Sequence, residues 1–190
     1  MALPPRRLAA LVVPVCLTAI GVVGVAAYSL ATGPVDAALA ASLIGFLAAL
    51  MLAERYPVPI EGVDVGGVSL SFVFGVAAAV LFGWAAATLI VFAATLTVHT
   101  LQHRPPLRVA FNSAVFALAT AAGGIAIAPI NGDSLAASVG AVALCALIYN
   151  LVNTAFISGA VSISAGRPYR TIVHATVKTS IVPLDRKSVV

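Results

Sequence analysis

The sequence predicts an all-α, polytopic membrane bundle of about six spans, because the composition, the long apolar stretches and the placement of the basic residues all agree. Of the 190 residues, 62% are hydrophobic and only 8% are charged, whereas about 25% of a soluble domain is charged. A chain this apolar would expose hydrophobic surface on every side in water, so its solvent must be lipid.

Five apolar stretches are each long enough to cross a hydrocarbon core of about 30 Å as a helix. They cover residues 8–31, 35–53, 84–102, 108–128 and 134–164. The first stretch is too long for the hydrophobic region of a signal peptide, so we expect it to be retained as a span.

The segment 68–102 holds the one topological question. As one helix its 35 residues would be about 52 Å long, so we expect a break at Gly83-Trp84, with Trp84 as an interfacial anchor. Residues 68–82 would then either cross the bilayer or re-enter it, and either path returns the chain to the side it left. If they re-enter, Ser69 and Ser71 could reach a polar pocket between the helices.

Three regions follow from this pattern. Residues 1–7 form a basic N-terminus, residues 8–164 form the membrane bundle, and residues 165–190 form an amphipathic tail on the cytoplasmic side. The last six residues, DRKSVV, look like adaptor read-through. We therefore expect the chain to be a fragment of a longer protein.

The basic residues predict the orientation. With a break at Gly83, all ten Lys and Arg residues fall on one side, and the positive-inside rule makes that side the cytoplasm. We therefore expect a multi-pass protein of the cell (plasma) membrane with both ends inside. The basic residues are not interleaved with aromatic ones, so the formal charge of +4 suggests anionic lipid rather than nucleic acid as a partner.

Catalytic motifs are absent from the sequence, which predicts neither an enzyme nor a cofactor. It contains no HExxH, GxSxG or Walker loop, and no span has a carboxylate near its middle. His99 and His103 are an i, i+4 pair at the end of a span, and we favour solvated interfacial histidines over a metal site. Cys16 and Cys145 lie apart within apolar stretches and are predicted to be packing residues.

Polar side chains within the spans are the candidate site. Asn150 and Asn153 lie one turn apart beside Tyr149, and Asn112 follows Arg108 by four residues. Hydrogen bonds that hold helices together are the favoured interpretation, and the alternative is a ligand pocket lined by these five residues. If the turn at 129–133 is centred on residue 131, two residues of the neighbouring helices lie at the same depth when their numbers add up to 262. This would pair Asn112 with Asn150.

Four segments then resemble a known group of proteins. They are AERYPV at 53–58, SLSFVFGVAAAVLFGW at 69–84, RPPLRVAFNSAVFALA at 104–119 and LIYNLVNTAFISGAVSISAGRPYR at 147–170. Together they resemble the N-terminal membrane regions of actinobacterial signalling proteins, which precede a cytoplasmic HD-GYP-type phosphodiesterase or GGDEF-type diguanylate cyclase. The resemblance implies a sensory or anchoring module, with Arg108, Asn112 and Asn153 at recurrent polar positions. The chain itself has neither an HD pair, nor HD-GYP, nor GGDEF, so the resemblance implies that the tail leads to a domain that this chain lacks.

Two functions therefore remain open. The first is a non-catalytic sensor or anchor whose last span passes a conformational change to a cyclic-dinucleotide output domain. The alternative is a small-solute transporter, or a substrate-binding membrane subunit like those of energy-coupling-factor importers. The partners expected are the lipid bilayer, an unidentified small ligand and a second copy of the chain in a homodimer through the membrane bundle.

Overall fold

A computed structural model describes residues 6–56, 58–59, 67–68, 70–130 and 134–174. Five long helices make up most of this part of the chain, and each is long and apolar enough to cross a membrane. They are α1 (Arg6–Thr32), α2 (Ala37–Arg55), α3 (Ser71–Leu101), α4 (Pro106–Ile127) and α5 (Leu135–Ala165). The predicted helical membrane bundle is confirmed. The predicted boundaries of α1, α2, α4 and α5 lie within two residues of the observed ones, and α3 begins three residues after the start of the predicted segment 68–102.

Local chemistry explains where the helices begin and end. The Asp36 carboxylate accepts from the Leu39 backbone N–H at 2.7 Å, and the Ser134 hydroxyl accepts from that of Ala137 at 3.1 Å, so α2 and α5 both begin with side-chain caps. Gly166 ends α5 in the left-handed conformation, with φ of 64°, which glycine adopts without strain.

The predicted break at Gly83 is confirmed, because α3 is a helical hairpin rather than a rod. Gly83 has φ of 81° and ψ of 169°, and a Cβ placed on Gly75 would lie 3.3 Å from Cγ2 of Val91. These two residues would be about 24 Å apart along one straight helix. The arms 71–82 and 84–101 are therefore antiparallel. The first arm, about 18 Å long, is too short to cross the hydrocarbon core.

A short ladder that the sequence did not predict lies between α2 and α3. The strands β1 (Val58–Pro59) and β2 (Gly67–Val68) pair antiparallel, with Val58 opposite Val68. Beyond α5, residues 169–174 are helical, and the rest of the predicted amphipathic tail lies outside the described residues.

Helix α4 is the centre of the bundle, since its buried residues occur along its whole length. Two glycines allow neighbours to approach closely: a Cβ on Gly124 would lie 2.7 Å from Cβ of Trp84, and one on Gly123 would lie 2.9 Å from the Cys145 carbonyl oxygen. Trp84, predicted as an interfacial anchor, thus lies at the hairpin tip and packs on α4.

The contact between Gly123 and Cys145 also corrects the predicted register of α4 and α5. Residues of α4 and α5 lie at the same depth when their numbers add up to 268. The position on α5 predicted to be level with Asn112 was therefore wrong by six residues, or about 9 Å. Helix α5 begins beyond the end of α4, where Leu135 is 83% exposed. Asn112 is therefore level with Phe156 rather than with Asn150.

One end of the bundle carries all the described basic residues and is called the basic end below. Helices α1 and α4 begin there, and α2, the second arm of α3 and α5 end there. The described arginines at or beside this end are Arg6, Arg7, Arg55, Arg104, Arg108, Arg167 and Arg170.

Candidate functional site: a buried charged cluster and a cleft at the basic end

Three ionisable side chains from different elements meet near the basic end. His99 Nε2, in the second arm of α3, lies 2.8 Å from Oε1 of Glu54 at the end of α2. Both side chains are buried, with exposed fractions of 1% for His99 and 7% for Glu54. Arg104, in the connection to α4, places Nη1 3.1 Å from the same His99 nitrogen. The cluster therefore ties α2 to the end of α3 and the start of α4.

The hydrogen-bonding pattern favours one tautomer of His99. Its Nδ1 is buried and has no hydrogen-bond partner among the described residues, so a proton there would leave an N–H unsatisfied in the core. With the proton on Nε2, His99 donates to the Glu54 carboxylate. Arg104 then adds a positive charge beside the pair, which compensates the charge of a carboxylate removed from water.

The prediction of two solvated histidines was wrong for His99. His103 is exposed, at a turn with φ of 54°, but His99 is covered because the end of α2 packs against the end of α3. Among the residues that the structure describes, no group of three or more His, Cys, Asp or Glu side chains could hold a metal ion.

One sequence signal could have revealed this cluster. Glu54 lies in the last turn of α2, where the partial negative charge of the helix C-terminus disfavours a carboxylate. A carboxylate in that position at the edge of hydrocarbon needs a cationic or hydrogen-bonding partner. Arg104 lies in the HRPPL segment at 103–107, and His99 lies in the last helical turn of α3 before that segment.

A separate cleft of about 350 Å³ opens at the basic end between α1, α4 and α5. Arg108 and Asn112 of α4 supply its main polar groups, with Arg108 exposed and Asn112 half-buried. The remaining lining residues are mostly apolar: Leu8, Val12, Pro105, Leu107, Phe111, Ile157, Ala160, Val161 and Ser164. Apolar walls with a few polar groups at the mouth suit an amphiphilic molecule.

Tyr149 lies in the aromatic core and outside this cleft. It is 3% exposed, and its ring centroid lies 5.1 Å from that of Phe72 and 6.5 Å from that of Phe116. A Cβ built on Gly75 would lie 3.9 Å from Cε2 of this ring. The side chain therefore packs the first arm of α3 against α4 and α5.

Within the described part of the chain, no hydrogen bond joins Asn112, Asn150 and Asn153, the three asparagines of the predicted polar cluster. Asn150 is exposed, and its Nδ2 donates to the Ala146 carbonyl of its own helix at 3.0 Å, so the predicted Asn112–Asn150 pair is wrong. The side chains of adjacent helical residues point about 100° apart, so the Asn150 side chain does not point into the bundle as that of Tyr149 does. Asn153 is half-buried, and its Oδ1 is buried with no hydrogen-bond partner in the part of the chain that the structure describes. Ser71 is buried, and Ser69 lies outside the described residues.

Comparison with known proteins gives one finding. A family model described as MASE9 matches residues 35–186, which is 152 of the 190 residues, and this range includes Glu54, His99, Arg104, Arg108 and Asn112. No curated protein and no solved structure matches the chain.

Proposed function

The chain belongs to the MASE9 family of membrane-associated sensors, and we propose that it is the non-catalytic sensor and anchor of a signal-transduction protein in the plasma membrane. In this proposal both ends are cytoplasmic. Helix α5 carries the signal to a cytoplasmic output domain, of the cyclic-dinucleotide type that the resemblance of residues 147–170 implies.

The observation that carries the proposal is the low burial of α5 at the basic end. The buried residues of α5 are Ala141, Cys145, Tyr149 and Ser158, so only one lies after the tyrosine. The apolar cleft lies beside that part of α5. A molecule that enters the cleft would contact the last turns of α5 and shift them relative to α4.

The charged cluster supports the proposal that α5 moves relative to the helices around it. Glu54 and His99 hold α2 against α3 through a buried pair, and breaking such a pair from one side is costly. The helices around the cluster therefore provide a fixed frame. Movement is concentrated where burial is low, which is where elements that switch are usually found.

The cleft suggests the chemistry of the signal. Its volume of about 350 Å³ is within the range of small-molecule sites. The walls accept an apolar tail, and the Arg108 guanidinium at the mouth can bind an anionic head group. Asn112, one turn further along the same face, can donate a second hydrogen bond.

A chimera tests the proposal. Residues 1–174 are fused to a diguanylate cyclase domain, and cyclase activity is measured in inverted membrane vesicles. Arg108→Ala and Asn112→Leu alter the cleft without disturbing the buried cluster, so we expect each to change the output at least severalfold. Arg55→Ala is the matched control, because Arg55 is an exposed arginine at the same end outside the cleft.

Two results would contradict the proposal. Cleft variants with the activity of the unaltered chimera would show that α5 does not report on the cleft. An equal effect of Arg55→Ala would show that only the charge at the membrane surface matters. Vesicle content of the chimera is measured by immunoblot, so that reduced insertion is not mistaken for reduced signalling.

A further inference from the structure

Asn150 is a polar residue in the middle of an apolar membrane helix. It is the sixteenth of the 31 residues of α5, so it lies midway between the two ends of the helix. It is exposed on the outer surface, between Leu147 and Leu151, which are 57% and 61% exposed. In a single copy of the chain, the amide would face the centre of the hydrocarbon core.

The hydrogen bonding of this amide is incomplete. A primary amide has two N–H donors and an oxygen acceptor, and within the described part of the chain the Asn150 side chain makes one hydrogen bond, to the Ala146 carbonyl. The second N–H and Oδ1 would remain without partners in lipid, where each unsatisfied group costs several kcal/mol.

We propose that a second copy of this chain packs on α5 and that the two Asn150 amides bond to each other. All copies insert with the same orientation, so two α5 helices can meet in parallel with their Asn150 residues at one depth. The amide is self-complementary, since each side chain offers a donor and an acceptor to its symmetry mate. A twofold axis along the membrane normal satisfies both, as a single asparagine does in parallel coiled coils.

The surface around Asn150 has the spacing that this packing needs. Gly140, Ala143, Leu147, Asn150 and Thr154 follow one another at alternating intervals of three and four residues, which is the spacing of a helix–helix seam, and they are called the α5 seam. The first four are exposed, and Thr154 is half-buried. No atom of the described residues lies within 4 Å of a Cβ built on Gly140, so a neighbouring helix can approach the backbone closely there.

The first experiment measures dimerisation in a bilayer. The full chain, labelled at its C-terminus, is reconstituted into liposomes over a range of protein-to-lipid ratios, and single-molecule photobleaching gives the dimer fraction. Asn150→Leu should raise the dissociation constant about tenfold. The control is Ser42→Leu, because Ser42 is an exposed polar residue of α2 whose hydroxyl donates to the Ala38 carbonyl at 2.8 Å, and this variant should dimerise normally.

Disulfide trapping locates the interface independently of the Asn150 variant. In a background with Cys16→Ala and Cys145→Ala, Leu147→Cys on the α5 seam should cross-link two copies under mild oxidation. Ile44→Cys, which replaces a side chain 67% exposed on α2, should not. A wild-type chain that stays monomeric at every ratio would overturn the proposal. So would an unchanged dissociation constant for Asn150→Leu, or equal cross-linking at positions 44 and 147.

Discussion

Removal of the Glu54 carboxylate should destabilise the bundle in a way that removal of His99 partly reverses. Glu54→Leu leaves the buried Nε2–H of His99 without its acceptor at 2.8 Å, and breaking a buried pair from one side costs about 3–5 kcal/mol. Glu54→Gln keeps an acceptor oxygen and loses only the charge. Since a neutral hydrogen bond is roughly half as strong as a charge-assisted one, this variant should cost about 1 kcal/mol.

The double variant Glu54→Leu/His99→Leu gives the decisive comparison. Both members of the pair are then apolar, and replacing a buried pair by well-packed apolar residues is often neutral. Arg104 is only half-buried and can turn its guanidinium toward water at the basic end. We therefore expect the unfolding free energy of the double variant to lie within about 1 kcal/mol of that of wild type. The effects of the single variants Glu54→Leu and His99→Leu should then be strongly non-additive.

The assay is equilibrium unfolding by SDS in mixed micelles, followed by the fluorescence of Trp84, the single tryptophan of the chain. Asp36→Asn is the matched control, because it neutralises an exposed carboxylate and retains the cap of α2, so it should change the unfolding free energy by less than about 0.5 kcal/mol. A loss below about 1 kcal/mol for Glu54→Leu, or additive losses in the double variant, would refute the described cluster.

Three further predictions concern the packing and the topology. Gly124→Ala should lower the unfolding free energy by about 1–3 kcal/mol in the same assay, because its Cβ would lie 2.7 Å from that of the hairpin tryptophan. Gly83→Ala should cost about 1–3 kcal/mol, because φ there is +81°. Gly45→Ala should be neutral or slightly stabilising, because no atom of the described residues lies within 4 Å of a Cβ built on Gly45. Reporter fusions after Arg104 should report cytoplasm and fusions after Asp133 the exterior; an exterior signal after Arg104 would contradict the predicted orientation.

The fold could be predicted from the sequence because membrane helices are governed by length and hydropathy. Residues 68–102 were too long for one span, and Gly83 was the residue that could break them without strain, so even the hairpin followed from the sequence. The register of α4 and α5 could not be predicted, since it depends on how far the chain extends after Ile127 before it turns back. That distance depends on packing, here the contact between Gly123 and Cys145.

The candidate site was predicted only in part. Arg108 and Asn112 do line one cleft, because an i, i+4 pair shares a helix face in any packing. The partners of Asn150 and His99 depend on which helix faces meet, and the near-uniform apolar character of α3 and α5 hides those faces. Glu54 was not singled out from the sequence, because hydropathy does not indicate that another helix covers the end of α2.

The unequal helix lengths have a mechanical consequence for the bundle. Helix α2, with 19 residues, is about 29 Å long and matches the hydrocarbon thickness, whereas α5, with 31 residues, is about 46 Å long. The longer helix must tilt or extend beyond the core, and its tilt increases as the bilayer becomes thinner. The mismatch is larger for α5 than for α2, so a change in bilayer thickness should change the tilt of α5 the most. The angle at which α5 leaves the membrane depends on the lipid around it as well as on any bound molecule.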